Sequence, residues 1–161
     1  SLPVLDNLSV GADNTGETLT SVLFGRWRPG ERAIRDKAKD VLRRVGLSDR
    51  INDSVANLSG GELRMLEVAR QLVRDPKVLL LDEPTAGVDP SLQAKLSRIL
   101  VDLHAEGRTL VVVEHNLHFL LQIADSVVVL QNGELLSKGT PKEIKSDEKV
   151  IAAYLGADHA A

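Results

Sequence analysis

Three short runs of uninterrupted aliphatic residues constrain this chain more than any other feature. They are residues 78–81 (Val-Leu-Leu-Leu), 110–113 (Leu-Val-Val-Val) and 127–130 (Val-Val-Val-Leu). Each has the length of a strand, and none approaches the roughly 20 residues needed to cross a bilayer. Strands that are apolar on both faces belong to a parallel sheet covered by helices on each side. Segments with helical signals separate the runs. Residues 90–105 open on Asp89-Pro90, an N-cap followed by proline at the first helical position, and stop before Gly107. Residues 116–124 make a shorter helix. Asn132-Gly133 is a hairpin turn leading into a strand over 134–137. Thr140-Pro141 opens one more helix, and residues 148–155 form the last before Gly156.

The first half is helical. Ile34, Ala38, Val41, Leu42 and Val45 fall at helical spacing over residues 31–45, with Gly46 as the stop and a charged, solvated opposite face. Residues 47–58 read as a loop. Ser59 with Glu62 three residues on is a capping box, and Leu63, Leu66, Val68, Ala69 and Leu72 give the helix behind it an apolar side, closed by Asp75-Pro76. Residues 1–30 are the least regular: Leu2, Val4, Leu5, Leu8 and Val10 precede a Gly/Asn/Thr-rich stretch, then Leu23, Phe24 and Trp27 before Pro29-Gly30. The fold class is therefore α/β. A helical subdomain over 1–75 is followed, over 76–161, by a mostly parallel sheet with flanking helices and a C-terminal β-hairpin and helices.

Composition narrows the function. Of 161 residues, 43% are hydrophobic but only 2% aromatic, so the core is aliphatic. The net charge of -3 supplies no long-range attraction for nucleic acid or anionic lipid. Without cysteine there is no disulfide framework and no thiolate metal site, which suits a cytosolic protein. The first residues show no basic region followed by an apolar stretch, so no signal peptide is expected. Any service to a membrane runs through a partner.

Three segments carry chemistry. The run at 78–81 ends in Asp82-Glu83, which puts two carboxylates where open α/β sheets bind ligands, at the carboxyl end of a strand. Asp82 there can hold Mg²⁺ and Glu83 can polarise a water; alone, the segment fits a strand end before a Pro84 turn equally well. Leu58-Ser59-Gly60-Gly61-Glu62 places a hydroxyl and two glycines at a helix start, where backbone N–H groups and the helix dipole favour an anion. Alone, a well-capped helix beside a tight loop explains it better. His115, after Glu114 at the end of the second run, can hydrogen-bond a phosphate or a reacting water; a lone histidine is more often structural. His104 and His118 are helix-surface residues, and His159 lies in a tail.

Together these segments are specific. LSGGE at 58–62, LLLLDEPTAGVDP at 78–90 and VVVEH at 111–115 stand in the order of the ABC-type ATPases, which the chain resembles from Ser1 to about Gly156. The resemblance implies a partial ABC-ATPase domain, with ATP and Mg²⁺ as its nucleotide and metal. It implies Asp82 as the Walker B aspartate serving Mg²⁺, Glu83 as the general base, and His115 as the switch histidine at the γ-phosphate. Residues 86–89, ending in Asp89, resemble the D-loop that communicates across a dimer interface. Ser59, Gly60, Gly61 and Glu62 resemble the signature loop that contacts ATP bound to the opposite subunit, with Glu62 in place of the more usual Gln. Implied partners are a second ATPase domain, head to tail, and transmembrane permease subunits that hold the protein at the inner face of the cell membrane. Residues 67–70, 86–90, 139–144 and 150–156 resemble the ATPases of branched-chain amino acid importers; the lipopolysaccharide-export ATPase shares much of this ending. A soluble ABC protein of DNA repair or translation fits less well, for want of a basic stripe.

One element is absent from the 161 residues. An ATPase of this kind needs G-x-x-x-x-G-K-[ST], whose amides cradle phosphate and whose lysine neutralises it. The sole near match is residues 11–18, where Glu17 stands in place of the lysine and would repel phosphate. No buried strand precedes it. Residues 1–8 resemble the segment just after the family's glutamine-bearing loop, so the chain is expected to begin in mid-domain. Two functions follow: an ATP-hydrolysing transport motor by parentage, or a non-catalytic fragment lending only its signature loop to a partner. The expectation for the isolated chain is no tight ATP binding, no turnover, and a sheet face left uncovered, leading to self-association or to rearrangement of the first thirty residues.

Overall fold

A computed structural model describes residues 2–10 and 27–155 of the chain; residues 11–18, with the near-match loop, lie outside the described residues. It divides into two compact units, residues 1–80 with 85–111, and residues 81–84 with 112–161.

The first unit is a helical assembly. Helix α1 (Val4–Val10) buries Val4, Leu5 and Leu8, whose i, i+1, i+4 spacing is one turn of apolar stripe. α2 (Trp27–Val45) buries Ala38, Leu42 and Val45, and α3 (Gly60–Leu72) buries Met65, Leu66, Val68, Ala69 and Leu72. α1 packs on both, and α2 also packs on α4 (Pro90–Ala105), which contributes Leu96, Ile99, Leu100 and Leu103. The core is aliphatic, as the composition requires. Two ends differ from the sequence reading. The apolar piece at the N-terminus is a helix, because Val4 and Leu5 tie their N–H groups to the carbonyls of Asp53 and Ile51 and so dock seven residues on the loop before α3. The second helix begins at Trp27 and runs through Pro29-Gly30, since proline in a first turn gives up an N–H that has no helical partner.

Caps fall where the sequence places them. Ser59 Oγ accepts from the Glu62 N–H at 3.3 Å, and Glu62 Oε2 accepts from the Ser59 N–H at 2.8 Å. Asp89 Oδ1 accepts from the N–H groups of Ser91 and Leu92, at 2.9 and 3.1 Å. Gly46 and Gly107, the two stops, have φ of 74° and 87°, a backbone region open to glycine at little cost. Residues 47–58 hold two short 3₁₀ turns, Ser48–Arg50 and Val55–Asn57.

Strand β1 (Val78–Asp82) pairs with β2 (Thr109–Val113). The Thr109 N–H donates to the Lys77 carbonyl at 2.9 Å, and the Glu83 N–H to the Val113 carbonyl at 2.8 Å. Contacts advance in the same sense along both strands, so the pair is parallel. Double cover, expected from the continuous apolar runs, is found on one face only. Leu79 and Leu81 are buried, whereas Val78, Leu80, Val111 and Val113 are each about half exposed or more, at 54%, 65%, 48% and 59%.

In the second unit, β3 (Val127–Gln131) and β4 (Glu134–Gly139) form an antiparallel hairpin closed by Asn132 and Gly133, both with positive φ. Among the described residues the strands thus divide into two two-stranded sheets. Helix α5 (Leu117–Ile123), α6 (Pro141–Ser146) and the short α7 (Glu148–Val150) cover the hairpin, burying Leu117, Val127, Val129, Ile144 and Val150 together. The Tyr154 hydroxyl, in the π-turn Ile151–Leu155, donates to the Leu130 carbonyl at 2.8 Å.

Candidate functional site

The sequence-selected residues fall into two groups, one in each unit. Ser59, Gly60, Gly61, Glu62 and Asp89 belong to the first; Asp82, Glu83 and His115 belong to the second.

In the first group the two glycines prove to be unlike. A Cβ on Gly61 would lie 2.5 Å from Leu92 Cδ1, with Asp89 Oδ2 at 3.8 Å, so Gly61 lets the start of α3 pack against the start of α4. A Cβ on Gly60 would meet nothing within 4 Å. Packing within the chain thus requires Gly61, while Gly60 leaves bare backbone facing open space at a helix N-terminus, the arrangement that suits an approaching anion. Glu62 is turned inward on its own helix: besides the Ser59 N–H, its Oε1 accepts from Arg50 Nε at 3.0 Å. The Ser59 N–H above all, then the Ser59 hydroxyl and Arg50, holds the Glu62 carboxyl below the usual carboxylate range. Hydrogen bonds from Ser91 and Leu92 do the same for Asp89. Both acids therefore cap helices, and the anion-facing groups here are backbone.

In the second group, β1 ends at the exposed Asp82. Glu83 follows with a φ of 45°, in the left-handed region where a residue with a side chain is strained. That turn is held by the Glu83 N–H bond to Val113 and by the buried Pro84 behind it. It takes the Glu83 side chain off the strand's alternation and leaves it 52% exposed. His115 extends the exposed row of Val111 and Val113, two residues at a time. Its Nδ1 lies 3.6 Å from Glu83 Oε1, and its side chain is 69% exposed. The pair thus faces solvent at the carboxyl ends of neighbouring parallel strands.

Glu114 is the residue that sequence reasoning passed over. Its side chain has no exposure, its Oε2 lies 3.9 Å from His115 Nδ1, and the same oxygen accepts from the Asn116 N–H at 3.2 Å. Nothing in one sequence distinguishes such an enclosed glutamate from a solvated one.

Among the described residues no cluster of three or more acids or histidines could cage a metal. A single exposed aspartate at a strand end fits Mg²⁺, which keeps most of its shell as water and phosphate oxygen and takes one or two protein carboxylates. It would not fit a cation that needs a full set of protein ligands.

The family model described as ABC transporter matches residues 4–86, more than half of the chain. A second, the branched-chain amino acid ATP-binding cassette transporter model, matches residues 134–160. A probable branched-chain amino acid transport ATP-binding protein LivG of Archaeoglobus fulgidus is 36% identical over 97% of this chain and 61% of its own length. The high-affinity LivG of Salmonella typhimurium is 36% identical over 81% of the chain and 51% of its own length. A crystal structure of an ATP-binding cassette of an ABC transporter, in its ADP conformation, superposes with a TM-score of 0.76 at 33% identity, over 96% of this chain and 63% of that one. The chain thus spans between about half and two thirds of the length of these relatives.

Proposed function

Since the chain belongs to the ABC transporter ATPase family, we propose that it carries the signature, Walker B and switch-histidine part of an ATP-hydrolysing subunit that drives branched-chain amino acid uptake. The observation that carries the chemical part is the pairing of Glu83 and His115 at 3.6 Å, beside Asp82, at the carboxyl ends of β1 and β2. Uptake of branched-chain amino acids is supported by the match at residues 134–160 and by the LivG relatives.

In this reading Glu83 accepts a proton from the attacking water and so aims its oxygen at the terminal phosphate. The strained backbone of Glu83 holds the carboxylate ready for that step, which lowers the cost of orienting it. His115 supports Glu83 through Nδ1 and presents Nε2 to the phosphate. Asp82 would hold Mg²⁺, which when bound offsets phosphate charge. Ser59 and the open backbone at Gly60 contact ATP held by a second ATPase domain, placed head to tail. Asp89 caps the helix behind the D-loop at that junction. Residues 1–75 serve as the helical subdomain and 76–161 as part of the ATPase core.

No G-x-x-x-x-G-K-[ST] occurs in the 161 residues, so the chain by itself has no cradle for phosphate. Turnover then belongs to assemblies that supply one. No helix among the described residues is long and apolar enough to cross a membrane; permease subunits dock the protein at the inner face of the cell membrane.

The test uses the whole subunit containing this sequence, assembled with its permease. Glu83→Gln should retain ATP binding and lose hydrolysis by about a hundredfold or more, the usual scale for a general base. Hydrolysis at the wild-type rate in that variant would refute the assignment. Purification with ribosomes or DNA in place of permease subunits would refute the transport reading.

A further inference from the structure

His115 is held from both sides by its chain neighbours. On one side, the Val113 carbonyl accepts the Glu83 N–H at 2.8 Å and so joins the end of β2 to the Glu83 turn. On the other, the Asn116 N–H points back to Glu114 Oε2 at 3.2 Å, while Asn116 Oδ1 accepts from the Phe119 N–H at 3.1 Å and starts α5. A carboxyl group with no exposure is costly unless polar partners surround it. This one sits directly before a histidine that is 69% exposed. A residue needed only to start a helix has no reason to be an enclosed acid, since Asn116 already supplies that cap.

We propose that Glu114 is a positioning residue for His115: its enclosed carboxyl group locks the turn 114–116 and so presents the imidazole to Glu83. Side-chain to backbone bonds two residues apart set tight turns of this kind, and His115 is the corner of this one. Glu114 Oε2 also stands 3.9 Å from His115 Nδ1, on the same ring nitrogen that faces Glu83 at 3.6 Å. The Nδ1 edge of the ring is thereby directed to the two acids, and the Nε2 edge is left for a ligand. The functional meaning rests on the reading of Glu83 and His115 as the hydrolytic pair, but the structural claim can be tested without nucleotide.

Nuclear magnetic resonance on the 161-residue chain supplies the test, with Glu114→Ala, which lacks an acceptor, and Glu114→Gln, which keeps one. In Glu114→Ala the Asn116 amide should lose about tenfold or more of its protection from hydrogen exchange, the scale of one lost buried hydrogen bond. The His115 ring ¹⁵N and ¹³C signals should move toward those of an unconstrained histidine. Glu114→Gln should keep Asn116 protection within about threefold of wild type and keep the ring's position. A folded Glu114→Ala with wild-type Asn116 exchange and unmoved His115 signals overturns the proposal. If Glu114→Ala does not fold, Glu114→Gln decides: loss of Asn116 protection in it overturns the proposal, and retention supports it. These results stand whether or not Glu83→Gln stops hydrolysis in the whole subunit, so the two readings fail separately.

Discussion

His115 Nδ1 stands 3.6 Å from Glu83 Oε1, and a backbone bond of 2.8 Å between the Glu83 N–H and the Val113 carbonyl joins the two strand ends that carry them. A side-chain pair and a backbone bond thus act on the same short stretch. The backbone bond ties the strand ends, and the side-chain pair lies just beyond it in the exposed turns.

The strain at Glu83 is measurable. Glycine adopts a φ of 45° freely, whereas a residue with a Cβ loses about 1 kcal/mol there. Glu83→Gly should therefore raise the melting temperature while removing the carboxylate, a trade between stability and function. A lower melting temperature would show that the Glu83 side chain stabilises the fold.

The glycines of the signature segment should separate. Gly60→Ala meets no neighbour and should stabilise the chain by about 0.5–1 kcal/mol through loss of unfolded-state freedom. Gly61→Ala must displace Leu92 Cδ1, and overpacking typically costs about 1–3 kcal/mol. Urea unfolding should rank Gly60→Ala above wild type and Gly61→Ala below it. The reverse order would mean that the close packing of α3 on α4 is absent in solution.

Acid should lower the stability of the chain. Hydrogen bonds hold the carboxyl groups of Glu62, Asp75, Glu106, Glu143 and Asp147 below their usual range, chiefly from Ser59, Arg108, Arg44, Thr140 and Ser137 respectively. A group whose pKa is depressed by folding contributes stability above its unfolded value, and that stability is lost as pH falls through the folded one. Melting temperature should be level near neutrality and fall below about pH 4.5, the ordinary onset of carboxylate protonation. Each contribution is small because the groups are exposed. The combined variant Glu62→Gln, Asp75→Asn, Glu106→Gln should start lower at neutral pH and show a shallower acid limb. An unchanged slope in that variant would contradict this source of the pH dependence.

Much of the local structure was legible in the sequence because its causes are local. Ser59 and Glu62, Asp89 and Pro90, Thr140 and Pro141, and Asn132-Gly133 each lie within four residues, and each does in the structure what its chemistry dictates. Features decided by distant partners were not. Helix α1 depends on carbonyls of Ile51 and Asp53, more than forty residues away, and its seven residues hold too little periodicity to stand out. The contrast between Gly60 and Gly61 is set by Leu92. A continuous apolar run does not tell whether one face or both are covered, and Val78, Leu80, Val111 and Val113 are open on one. The residues of the proposed site were singled out through family resemblance; the enclosure of Glu114 and the backbone strain of Glu83 had no signal in the sequence.

Mg-ATP turnover by the purified 161-residue chain, measured beside its Glu83→Gln variant, tests whether Asp82, Glu83 and His115 belong to an ATPase centre whose phosphate cradle these residues do not contain. The expected result is no tight binding of Mg-ATP and no turnover, with wild type and variant alike. Hydrolysis by the wild-type chain that Glu83→Gln abolishes would contradict it.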